Sequence, residues 1–375
     1  MVVGAVSSSG SVAKRLQQSN LSVDGLYEAP RCGSKGSGNY VATFCGDFGF
    51  DRQHCLTVWD DFYGFKEGLN GRTLGFHAEW GGGFSKYGIR LERPDELLQY
   101  LDVFFRKTAP WFAQLDTADQ IGRVVTVRAL FDGNGAGSQT IRNATIRTLK
   151  DRERTELYGA SFSLFLLTHM LTSAYLDGLL TTARDQVFWQ IYPGHDPSSA
   201  PPPVIQDSIE HLTLFRGKAA GKKSGLTRFV KATQSHAARI ANRRSVVTFN
   251  NQMSSIVLVK GTNVEGKRVF VIDDFTTEGY SLEAARQMFF GAGARSVDLL
   301  AFGKYGTRYG LQTPMDESLV EPFQKKTYAD ADFDETQDHM TQNHEALSQF
   351  VESLDRLRDT TIKTKLLASS SLASP

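Results

Sequence analysis

Short apolar runs rich in β-branched residues punctuate the second half of the chain at 187–192, 255–259, 269–273 and 297–302. Each has the length of a buried strand and ends near turn-forming residues. Between the last two, Leu282, Ala285 and Phe289 fall at i, i+3 and i+7. That spacing predicts one buried face of a helix over 281–290, closed by Gly291 and Gly293. Strand, helix and strand in this order make the βαβ pattern of a parallel sheet. The expected fold class is α/β, with a parallel-sheet domain over 141–312 that carries those four strands.

The pattern changes near Ile141. Upstream, the segment from Tyr40 to Asp116 is rich in aromatic residues. Within it, Leu56–Trp59 and the stretch beginning at Thr73 read as strands, and Gly81 opens a glycine turn. Residues 94–106 read as a helix, with Pro94 at its start and Leu97, Leu98, Leu101 and Phe105 on one face. Residues 1–140 are therefore expected to form a separate mixed α+β lobe, with the Ser- and Gly-rich 1–40 poorly ordered. Downstream, 161–180 reads as an apolar helix and 228–243 as another. Residues 313–375 read as a polar tail with one helix at 344–358 and a disordered end.

With 375 residues, 41% of them apolar and 22% charged, the chain can bury a sizeable core. A formal net charge of +1 gives no electrostatic case for nucleic acid or an anionic membrane. The most apolar stretch, 162–180, contains His169 and Asp177, which suits a buried core helix and argues against a membrane span. The first basic residue, Lys14, comes too late for a secretory signal. The three cysteines, Cys32, Cys45 and Cys55, form no C-x-x-C pair. Reduced thiols in a cytoplasmic protein are expected, and His54 beside Cys55 leaves a metal site open as the alternative.

The segment that carries chemistry follows Val269. Four apolar residues lead to Asp273 and Asp274, then to a short loop with Thr276, Thr277, Gly279 and Ser281 that runs into the 281–290 helix. Ligands of open α/β sheets sit at the carboxyl ends of strands. A helix N-terminus presents free N–H groups to an anion, and Gly279 lets backbone approach it closely. The acids are acceptors suited to a diol. One loop can thus hold a phosphate at its turn and a ribose at its entrance.

This arrangement resembles the phosphoribosyl pyrophosphate (PRPP) signature of the type I phosphoribosyltransferases. Asp273 and Asp274 match its two acids, Thr277 its first threonine, Gly279 its glycine and Ser281 its final hydroxyl. Glu278 stands where a second threonine is usual, which puts a carboxylate beside the expected phosphate. The order of features over 141–306 is similar to the ComF-like branch. Lys150, an apolar helix and a proline turn at Tyr192, Pro193, Gly194 and His195 precede Gln234, Arg239 and Asn242.

The resemblance implies a phosphoribosyltransferase-type domain that binds PRPP with Mg²⁺. It would transfer ribose 5-phosphate to a small nitrogenous base and release pyrophosphate. Asp273 and Asp274 would be the catalytic acids, meeting Mg²⁺ only through PRPP or water. Thr276, Thr277, Glu278, Gly279, Tyr280 and Ser281 would bind PRPP, and the turn 192–195 would take the pyrophosphate. Arg216, Lys218, Lys222 and Lys223, interspersed with glycine, fit a loop that closes over pyrophosphate. Thr277 stands where purine-type members carry an aspartate, which argues against a hypoxanthine–guanine enzyme and leaves the acceptor base open. Two other functions stay open: a regulator that binds PRPP without turnover, and an accessory protein of DNA uptake, with which the ComF-like branch is linked. Self-association is also open.

Overall fold

The computed structural model describes residues 4–5, 25–26, 34, 36–81, 89–134, 138–149, 155–182, 186–198, 218–219, 225–232 and 248–363. The chain first forms α1 (Asn39–Phe48), β1 (Leu56–Trp59), α2 (Phe62–Gly71), β2 (Leu74–Ala78), β3 (Ile89–Leu91) and α3 (Pro94–Phe104). It continues through β4 (Ala113–Ala118), β5 (Val124–Asp132), α4 (Gln139–Leu149), α5 (Phe162–Leu176), β6 (Val187–Ile191), β7 (Lys218–Ala219) and β8 (Leu226–Arg228). Then follow α6 (Phe249–Met253), β9 (Ile256–Leu258), β10 (Arg268–Thr276), α7 (Tyr280–Gly291) and β11 (Ser296–Lys304). The last elements are β12 (Arg308–Pro314), β13 (Phe333–His339), β14 (Thr341–Gln342) and α8 (His344–Arg358).

The fold is mixed α/β around a central sheet of order β7-β6-β10-β11-β5-β4-β14. The five strands from β7 to β5 run parallel, and β4 pairs antiparallel with β5 and with β14. Strands β10 and β11 are neighbours joined by α7, as the βαβ spacing predicts. Successive residues of β10 enter different cores. Val269 and Val271 meet the α7 residues Leu282, Ala285, Met288 and Phe289, whereas Phe270 and Ile272 join the cluster containing α5, α3 and α8. This alternation follows from the two-residue period of a strand and makes β10 the centre of a layered structure.

Three expectations change. The run at 255–259 does contain a strand, but β9 pairs antiparallel with β8 in a two-stranded sheet outside the central one. Its apolar residues reported burial and not the partner. Residues beyond 313 are not a polar tail. β12 and β13 form an antiparallel hairpin, and α8 buries Ala346, Phe350, Leu354 and Leu357 against α3 and β5. Only Phe333 of β13 is fully buried, so that strand carries little apolar signal. Finally, β4 and β5 precede residue 141 yet belong to the central sheet, which therefore draws strands from both sides of the expected lobe boundary. The helix expected at 228–243 falls mostly outside the described residues; Arg228 ends β8, and 229–232 is not helical.

Helix α5 is a core helix, with every residue from Phe162 to Tyr175 buried. No helix among the described residues is long and apolar enough to cross a membrane. Within α5, His169 lies 2% exposed, its ring 5.0 Å from that of Phe350, 5.6 Å from Phe165 and 6.4 Å from Phe104. Burial, reinforced by the nearby Lys107, holds its pKa well below the usual 6.5. The folded protein keeps this imidazole neutral while the unfolded chain protonates it, so its contribution to stability is present above about pH 6.5 and is lost as pH falls. Melting temperature should drop less between pH 7 and pH 5 in His169→Leu than in wild type. Equal drops in parallel thermal melts would overturn this assignment.

Candidate functional site

The carboxyl ends of β6 and β10 lie side by side, and their onward connections lead to opposite sides of the sheet, β6 to β7 and β10 to β11. That reversal makes a crevice, the usual ligand position in open α/β sheets. The two segments singled out in sequence, 192–195 and 273–281, both emerge there. β10 is longer than expected and runs through both acids to Thr276, which is buried. Asp273 and Asp274 are half-buried, and each carboxylate accepts the N–H of the next residue, at 2.8 and 2.6 Å.

Tyr192 joins the two segments. Its N–H donates to the Ile272 carbonyl at 2.8 Å, extending the β6–β10 pairing, and its phenol donates to Gln252 Oε1 at 2.9 Å. Burial raises this phenol to about 12; the neighbouring Arg228 opposes the rise, Asp273 adds to it and a hydrogen bond with Ser281 opposes it. Tyr192 after β6, Asp273 on β10 and Ser281 in the first turn of α7 are therefore brought together.

The loop 277–279 is oriented by its carbonyls. The Tyr305 N–H donates to Thr276 O at 2.9 Å, Lys304 Nζ to Thr277 O at 2.5 Å and the Gly310 N–H to Glu278 O at 2.8 Å. The three donors come from the end of β11, from the β11–β12 connection and from β12. In a planar trans peptide the C=O and N–H point in opposite directions. The N–H groups of Thr277, Glu278 and Gly279 therefore face away from that connection. Among the described residues no acceptor takes the N–H of residues 277–281, and α7 has no side-chain cap. The positive end of the α7 dipole lies at the same place. The result is a run of backbone donors suited to a phosphate.

Gly279 is required here for two reasons. Its φ is +84°, and a Cβ would lie 2.3 Å from the Tyr309 ring. Tyr309 is itself fixed by a hydrogen bond to Glu283 Oε1 at 3.0 Å. Glu278 turns its carboxylate toward the Tyr280 phenol and Lys304, on the same side as its own carbonyl. It does not fill the N–H side.

The turn 192–195 is built in the same way. Arg228, 5% exposed, donates to Gly194 O at 2.6 Å and Pro193 O at 3.4 Å, and is held by Gln252 and Ser255. The N–H groups of Gly194 and His195 accordingly face the other way. Of the expected basic loop, Lys218 lies on β7, while Arg216, Lys222 and Lys223 fall outside the described residues, as do Lys150, Gln234, Arg239 and Asn242. Lys304, Arg228 and Tyr309 were not singled out in sequence. Their signal is faint: a lysine closing an apolar strand, an arginine in a basic stretch and a tyrosine in a hairpin.

Residues away from the crevice have structural places. Asp61 caps α2 by accepting the Gly64 N–H at 2.6 Å, and Trp111 lies in the core. The Cys45 and Cys55 thiols face each other at 3.2 Å in a buried cluster, and no group of three or more metal-binding side chains occurs among the described residues. No family model and no curated protein matches the chain.

Two outcomes follow for this loop. Gly279→Ala should lose at least about 2 kcal/mol in chemical denaturation, from the left-handed backbone and the displaced Tyr309 ring; a loss below about 0.5 kcal/mol would contradict the packing described. Because the Glu278 carboxylate lies off the N–H side, Glu278→Thr should change ribose 5-phosphate affinity by less than about tenfold in a calorimetric titration, equivalent to about 1.4 kcal/mol. A larger gain would mean that the carboxylate competes with the ligand.

Proposed function

We propose that the protein binds a phosphorylated ribose, PRPP in the first instance, at the crevice between β6 and β10, and transfers its ribose 5-phosphate to a nitrogenous base. The observation that carries this reading is the outward presentation of three consecutive N–H groups at 277–279, four to six residues beyond Asp273. Phosphate and diol chemistry are thereby set on one segment. The likeness of Asp273–Ser281 to the PRPP signature and the neighbouring turn at 192–195 support the same ligand.

In this reading the N–H groups and the α7 terminus take the 5′-phosphate. Asp273 and Asp274 accept from the ribose hydroxyls, each contributing about 1.5–3 kcal/mol as a charge-assisted bond. The turn 192–195 faces the pyrophosphate. The donor set suits Mg²⁺ held chiefly by the ligand, since this ion typically uses one or two carboxylates together with substrate phosphates and keeps several waters. Mg²⁺ would neutralise charge on the departing pyrophosphate, and a ring nitrogen of the acceptor would take the ribose C1.

A second reading is favoured by Glu278, which stands where the family pattern has threonine. It is a protein that binds PRPP as a regulator without turnover. Pyrophosphate release in the presence of PRPP, Mg²⁺ and a panel of purines and pyrimidines separates the two. A salt-dependent shift of DNA in a gel would favour the nucleic-acid role instead. The common prediction concerns the acids: Asp273→Asn with Asp274→Asn should weaken PRPP binding at least about a hundredfold, from two charge-assisted bonds, while leaving the melting temperature close to wild type. Unchanged affinity in calorimetry would remove this site from consideration.

A further inference from the structure

Lys304 has no exposed surface, yet it ends a strand whose neighbours are apolar. Its ammonium donates to three carbonyls: Thr277 O at 2.5 Å, Tyr305 O at 2.9 Å and Arg308 O at 3.0 Å. Three donors meet three acceptors, so its hydrogen bonding is complete and it has no donor left for a ligand. Its position is nonetheless specific. It grips the one peptide in the middle of the 276–279 loop, and that grip turns the N–H of Glu278 to the opposite face. Arg228 does the same for the turn at 193–195. Each of the two loops that face the crevice thus has a buried cation on its carbonyl side and N–H groups on the other.

We propose that Lys304 is a positioning residue for phosphate: it locks the Thr277–Glu278 peptide with its N–H outward and sets a fixed positive charge behind the anion site. The ligand class is a phosphate monoester dianion, and the proposal rests on the phosphate-binding reading of the loop. A neutral hydrogen-bond donor would orient the peptide but would not supply the charge. Because Lys304 is itself buried, that charge is screened less than one held in solvent.

The charged group acting on Lys304 is Glu278 from the loop, with Tyr280 beyond it; Asp132, the register partner on β5, accepts from Asn134. Burial lowers its pKa to about 8, and Glu278 opposes that shift. The ammonium is therefore charged at pH 7 and loses its proton as pH rises through about 8. A phosphate monoester, with its second pKa near about 6, stays a dianion across this range. Binding should consequently weaken on the alkaline side because the protein changes and not the ligand.

The test is a calorimetric titration of the full chain with ribose 5-phosphate from pH 7 to pH 9.5. Wild type should bind at pH 7 and lose affinity about tenfold or more by pH 9.5, as expected for loss of one charged partner. Lys304→Met should bind about tenfold or more weakly at pH 7, with little dependence on pH. Lys304→Arg, which keeps its charge throughout, should show no inflection near pH 8. Thermal melts show which variants fold; if neither does, the wild-type pH profile alone decides. A wild-type affinity that is flat from pH 7 to 9.5, or a folded Lys304→Met protein that binds like wild type, overturns the role of Lys304 while leaving the phosphate site standing. Absence of any wild-type binding at pH 7 overturns the site itself, and the role of Lys304 with it.

Discussion

The arrangement of the crevice depends on Arg286, a fully buried arginine on α7. Its guanidinium meets Glu283 Oε2 and Asp119 Oδ2, each at 2.8 Å, and donates to the Gln312 carbonyl at 2.6 Å. Asp119 follows β4, Gln312 lies on β12 and Glu283 stands one turn below Arg286, so one side chain ties α7 to the sheet and to the hairpin. Glu283 also accepts from Tyr309, whose ring packs against Gly279. Leaving one member of a buried ion group uncompensated costs about 3–5 kcal/mol. The residues of this group are therefore coupled, and the loop that presents its N–H groups inherits their geometry.

A common device then recurs at the two turns facing the crevice. A buried cation captures backbone carbonyls, and peptide planarity converts this capture into outward N–H groups. Arg228 performs it for Pro193 and Gly194, and Lys304 for Thr277. Polarisation along such hydrogen-bonded peptides also makes the outward N–H groups better donors. Neither cation needs to reach into the crevice to shape it.

Much of this fold was legible because its signals are local. The continuous apolar run Val269–Ile272, the spacing of Leu282, Ala285 and Phe289, and the helix at His344–Arg358 depend only on neighbours in sequence. The acids and hydroxyls of 273–281 were legible for the same reason. What escaped depends on distant partners. Glu283 and Arg286 look like an exposed i, i+3 ion pair, yet they are buried because Asp119 and Tyr309 complete them. Val124–Leu130 carries the β-branched signal of a buried strand, but only its pairing with β11 assigns it to the central sheet. Lys304 reads as an ordinary strand end until the carbonyls of Thr277 and Arg308 are seen around it.

The place of α8 has a consequence for how the chain reaches this structure. Phe350 contacts Phe131 and Phe165, Arg356 donates to the Asp102 carbonyl, and Thr361 donates to Gln99. These contacts join residues separated by up to 262 positions. A ribosome adding roughly 5–20 residues per second would have made α3, β5 and α5 well before α8 emerged. Until then the apolar face of the sheet that α8 covers has no lid. Contacts of such long range slow folding, because loop closure comes before the interactions that reward it. Completion of the main core thus waits for α8, a segment that reads in sequence as part of a polar tail.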